Sequence, residues 1–187
     1  SIIIRSSRDV SQAGDYYGFR FEQGEISTID ISYCRVEGYY LAFWIRNISG
    51  ANYNVSSLAD ADSTAIHNSV FRYGSSHVYR HEYGAQGRSI FLTNNILEGS
   101  SGFSLWETQG PRTLISGNTM KNATSSFLTA NDIFPGRSGL DTVKFICTNN
   151  VIEGNGGSFL SLSPGWKQEE NFERFVEISD NNINISF

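Results

Sequence analysis

The sequence predicts an all-β fold: a single-stranded right-handed parallel β-helix of about six to seven coils, with three short strands per coil. Three observations predict it. An eight-residue pattern is written six times along the chain, apolar residues alternate ahead of each copy, and a column of charges alternates in sign from copy to copy. A pattern recurring every 20 to 50 residues or so marks a stacked array rather than one globular core.

The copies begin Ile31-Ser32-Tyr33-Cys34, Ile66-His67-Asn68-Ser69, Leu92-Thr93-Asn94-Asn95, Ile115-Ser116-Gly117-Asn118, Cys147-Thr148-Asn149-Asn150 and Ile178-Ser179-Asp180-Asn181. Each reaches an apolar residue two places on: Val36, Phe71, Leu97, Met120, Ile152 and Ile183. The first strand of a coil is read from the alternation that precedes the copy, as in Ile29 and Ile31, Ile90 and Leu92, Phe145 and Cys147, or Val176 and Ile178. Period-two alternation is the mark of a half-buried strand. Asn then bends the chain, because it enters the left-handed region more readily than any other non-glycine residue. A short second strand carries the Val36/Leu97/Ile152 column and closes on small residues such as Gly38, Gly99 and Gly154. The third strand spans 41–45, 78–81, 103–106, 127–130 and 159–162, and a loop of variable length completes the coil.

Stacking at the spacing of about 4.8 Å between hydrogen-bonded strands puts equivalent residues above one another. Asn95, Asn118, Asn150 and Asn181 then form an asparagine ladder. Glu37, Arg72, Glu98, Lys121 and Glu153 form a column whose sign changes at every step, as favourable cross-strand pairing requires. These carboxylates serve register rather than chemistry. The same map separates Cys34 from Cys147 by four coils, on the order of 19 Å, so no disulfide joins them. Cys147 falls in the interior.

The 187 residues suit one domain, 1–187, expected to be part of a larger protein whose neighbouring domains or chains cap the solenoid ends. Net charge is −5 with no basic run, which argues against nucleic acid. No apolar run approaches the roughly 18 residues of a membrane span, so membrane insertion is not expected. No phosphate loop, zinc spacing or Ser/His/Asp set stands out.

The whole chain resembles the pectin-lyase-like superfamily of right-handed β-helices. The stretch Ser76-His77-Val78-Tyr79-Arg80-His81-Glu82-Tyr83-Gly84, followed by Ile90 to Gly99, is most similar to the alginate-lyase and chondroitinase B type, and to related surface β-helix domains of Bacteroidetes. The resemblance implies a polysaccharide lyase in which an Arg assists, a Lys of the previous coil abstracts a proton, and calcium neutralises the uronate. Carried over, Arg80 and His81 are the candidate catalytic residues. Glu82 departs from the family's Gly. The strand that should hold the Lys reads Ala42-Phe43-Trp44-Ile45-Arg46, and no acidic cluster for calcium stands out.

What does not repeat is the outer side of the third strand and its loop edge. Trp44, Arg46, Tyr79, Trp106, Glu107 and Trp166 are placed there as candidate substrate-binding residues, since aromatic rings beside Arg and Glu suit a saccharide. The sequence is therefore read as an extracellular or cell-surface module that recognises polysaccharide without a complete catalytic set. A lyase or hydrolase, and the structural shaft of a fibre, adhesin or phage tailspike, stay open beside it.

Overall fold

The structure is a computed structural model that describes residues 2–4, 18–23, 28–47, 63–81, 89–106, 112–123, 125–131, 142–155, 158–163 and 173–186. Its strands build three parallel sheets. The first sheet holds β3 (Thr28–Ser32), β6 (Ser63–His67), β9 (Ser89–Thr93), β12 (Arg112–Ser116), β15 (Thr142–Thr148) and β18 (Glu173–Ser179). The second holds β1 (Ile2–Ile4), β4 (Cys34–Glu37), β7 (Val70–Arg72), β10 (Ile96–Glu98), β13 (Thr119–Lys121), β16 (Val151–Asn155) and β19 (Asn182–Ser186). The third holds β2 (Phe19–Gln23), β5 (Phe43–Asn47), β8 (His77–His81), β11 (Ser101–Trp106), β14 (Leu128–Asn131) and β17 (Leu160–Ser163). The chain visits the three sheets in turn and climbs one strand spacing per circuit. This is the right-handed parallel β-helix with three strands per coil.

The repeat aligns as its columns require. Ile31, Ile66, Leu92, Ile115, Cys147 and Ile178 pair in succession on the first sheet. Val36, Phe71, Leu97, Met120, Ile152 and Ile183 do so on the second. Between Val36 and Ile152 the second-sheet residues are buried, and Phe43, Tyr79, Phe103 and Leu128 meet them from the third sheet. Three half-apolar sheets thus close around one continuous interior that no single coil could shield.

The bend differs from expectation by one residue. The left-handed residues are Tyr33, Asn68, Asn94, Gly117, Asn149 and Asp180, each just before the aligned Asn position. Asn95, Asn118 and Asn150 instead sit in the interior, fully buried. The physical reason is hydrogen bonding: a strand that turns a corner leaves backbone groups inside that must find partners. Asn118 Nδ2 donates to Leu92 O at 2.8 Å and to Asn150 Oδ1 at 3.0 Å, while Asn118 Oδ1 accepts from Asn95 N–H at 3.0 Å and from Asn95 Nδ2 at 3.1 Å. The bonds continue upward to Asn181 and downward through Ser69 to Cys34. A second corner is turned by Gly38, Tyr73, Gly99 and Asn122, also left-handed.

The charge column holds its register: Glu37 pairs Arg72, Arg72 pairs Glu98, Glu98 pairs Lys121 and Lys121 pairs Glu153. Arg72 Nε lies 2.8 Å from Glu98 Oε2, an ion pair whose geometry is not aligned for a hydrogen bond. Both cysteines are free thiols. Cys147 is fully buried, and burial pushes its thiol up to about 12, so it stays protonated and inert.

Candidate functional site

The outer side of the third sheet follows from strand parity. In β5, Phe43 and Ile45 are buried, which leaves Trp44 facing out. In β2, Phe19-Arg20-Phe21 gives Arg20 the same parity, and in β8 buried Tyr79 gives it to Arg80. The registers then stack one outward column across all six strands: Arg20, Trp44, Arg80, Ser104, Thr129 and Ser161.

Three features define this column. The Arg20 guanidinium carbon stands 4.9 Å from the centre of the Trp44 ring, a cation–π contact. Arg80 occupies the next position on the other side of Trp44, so the indole lies in register between two permanent cations. Beyond Arg80 the column turns to small hydroxyl residues. A depression of about 370 Å³ lined by Gly18, Phe19, Arg20, Leu41 and Trp44 opens beside the Arg20 end. His77, near the start of β8, is held below its ordinary range, first by burial and then by the Arg80 charge, and so is neutral near pH 7.

The candidates named from the sequence separate into distinct groups. Trp44 and Arg80 come together. Tyr79 does not belong with them: it is fully buried, stacked in register between Phe43 and Phe103, and cannot meet a ligand on the surface. Its placement outside is corrected for a physical reason, since the phenol ring fills the interior while Arg80 takes the outward position. His81 pairs with Ile45 and Leu105, both buried, so its backbone lies in an inward column rather than beside Arg80 in the outward one. Arg46 pairs with Glu22 and Trp106 with Asn131, one outward step along their strands from Trp44 and Ser104. The side chains of His81, Arg46 and Trp106, and all of Glu107 and Trp166, lie outside the described residues.

Arg20 was not among the candidates, although its signal was present: it is flanked by Phe19 and Phe21 just as Trp44 is flanked by Phe43 and Ile45. Chemically, two guanidinium groups around an indole can hold carboxylate or sulfate oxygens and cover the C–H face of a sugar ring. Neither can take a proton from a substrate. Among the described residues no three His, Cys, Asp or Glu side chains converge as ion ligands.

No family model, curated protein or solved structure matches this chain.

Proposed function

We propose that this protein recognises acidic polysaccharide along the outer face of its third sheet, at or outside the cell surface, with Arg20, Trp44 and Arg80 at the centre of the contact. One observation carries the reading: the stacked Arg20–Trp44–Arg80 column, in which two guanidinium groups bracket an indole on a chain of net charge −5. Two strand spacings separate the arginines, about 9.6 Å, which suits two anionic groups along one extended polymer better than a single small ligand. Beyond the buried Ser104, half-buried Thr129 and exposed Ser161 continue the column and offer hydroxyls to a chain lying across the coils. The reading is one of binding without chemistry, because the column supplies cations and an aromatic face but no proton acceptor.

Affinity electrophoresis tests it. Polyuronate or sulfated glycan cast into a native gel should retard the wild-type chain, and neutral glucan should not. Arg20→Ala with Arg80→Ala should abolish the retardation, while the surface change Lys144→Ala on the first sheet should leave it. Equal retardation of wild type and the double variant, or none for any acidic glycan, sinks the proposal.

A further inference from the structure

The outer side of the second sheet carries two columns that run straight across the coils. Strand parity puts them there: Phe71, Leu97, Met120 and Ile152 are buried, so the residues on either side of each face out. One column is the charge ladder Arg72, Glu98, Lys121 and Glu153. The other is Val70, Ile96, Thr119 and Val151, uncharged throughout. Ile96 is 43% exposed, and the other three are half-buried.

The ladder is only partly satisfied within the chain. Arg35 bonds the buried Glu37 at 2.6 Å, and Arg72 lies 2.8 Å from Glu98. Lys121 and Glu153 stack in register and are exposed, yet neither makes an ion pair among the described residues. The order of signs has a further property. From Arg72 to Glu153 it runs plus, minus, plus, minus, and in the opposite direction minus, plus, minus, plus. The column is therefore complementary to its own reverse when the turning point falls between Glu98 and Lys121.

We infer that this face is the interface of an isologous dimer, in which a second copy of this chain lays its second sheet against the first with the coils antiparallel. The two-fold axis runs along the strands and passes between Glu98 and Lys121. Arg72 then faces the partner's Glu153, and Glu98 faces the partner's Lys121. The in-chain pair Arg72–Glu98 and the two charges left over in the other copy close a square of alternating sign, and symmetry repeats it. Beside the squares Ile96 faces the partner's Thr119, and Val70 faces the partner's Val151. Sheets packed face to face stand about 10 Å apart, a gap that side chains of this length fill from both sides. Sliding one copy by a single coil would set like charges opposite at every step, which opposes association. Turning it about the helix axis instead would set charges against the uncharged column. Both copies have the same rise per coil, so the match keeps step along the whole ladder. This common rise selects a second copy over an unrelated partner. The strands β7, β10 and β13 are three residues long, so the face is narrow and the dimer falls in the weak, salt-sensitive class.

Sedimentation equilibrium of the full chain tests the inference. The wild type should be a mixture of monomer and dimer at about 200 µM in about 20 mM salt, and association should weaken at least about tenfold by about 300 mM. Two charge-exchanged variants identify the face. Lys121→Glu with Glu153→Lys, and Arg72→Glu with Glu98→Arg, should each be monomeric, because each sets like charges opposite in every pair. Mixed one to one, the two variants should form a dimer, because every pair across the interface is again of opposite sign. A wild type that stays monomeric, or that forms trimers or larger species, overturns the inference. So does a dimer that survives in both variants, or a mixture of folded variants that stays monomeric. If circular dichroism shows that a charge-exchanged variant does not fold, Ile96→Lys decides, since it sets a cation beside the axis in each copy. It should abolish the dimer, and a dimer that persists in it contradicts the proposal.

Discussion

Tyr33 and Tyr73 hold left-handed backbone angles, φ 53° and 57°, at bends where the other left-handed residues are Asn, Gly or Asp. For a residue with a bulky side chain that conformation costs roughly 1–2 kcal/mol. Tyr33 is 64% exposed and recovers little of this by packing. Tyr33→Asn should therefore stabilise the chain by about 1 kcal/mol, read as a higher urea midpoint with unchanged slope. A lower midpoint would mean that the ring's edge-on contact with His67 outweighs the strain. His77 makes a second prediction at this scale. The folded chain holds its ring neutral, so as pH falls through the ordinary histidine range near 6.5 the unfolded chain takes up the proton first, which favours unfolding. That component of stability should be complete above pH 7 and decline as pH falls towards the lowered folded value. The difference in thermal midpoint between wild type and His77→Asn, followed from pH 7.5 to 5, should show it. A difference that does not change with pH contradicts the assignment.

At the scale of elements, the second sheet depends on its alternating column. Glu98 sits between Arg72 and Lys121, so Glu98→Lys replaces two favourable neighbours with two like charges. The expected loss is about 1 kcal/mol, and it should shrink in high salt. Adding Arg72→Glu and Lys121→Glu should restore the alternation around position 98 at the cost of Glu37 and Glu153, and so should recover only part of the loss. Much of this architecture was legible in the sequence, because period-two alternation and a sixfold repeat constrain each other: a slip of one residue in any coil would turn a whole column inside out. The bend was misplaced for a specific reason. Two copies carry Asn doublets, Asn94-Asn95 and Asn149-Asn150, in which either residue could turn the corner. Gly117 and Asp180, single turn-forming residues just before the aligned Asn, held the answer. Tyr79 was misjudged because 76–81 mixes His, Val, Tyr and Arg without clean alternation. Only pairing with Phe43 and Phe103 fixes which side faces in. Glu107 and Trp166 fall outside the repeated pattern, so the period could not place them.

At the scale of the whole molecule, the solenoid is a ruler. It sets equivalent side chains at a constant rise and so turns a column of three residues, Arg20, Trp44 and Arg80, into a straight track on one face of an acidic protein. Under the proposed function, such a track meets a linear polymer with regularly spaced negative groups, and the affinity should be dominated by charge–charge contact. Calorimetric titration of the wild-type chain with a soluble polyuronate at low and high ionic strength tests this most directly. Binding should be measurable in 20 mM salt and weaken at least about tenfold by 300 mM, where the screening length falls from roughly 20 Å to under 6 Å. The Arg20→Ala, Arg80→Ala variant should bind at neither. Salt-independent binding, or binding that survives loss of both arginines, would contradict the proposed function.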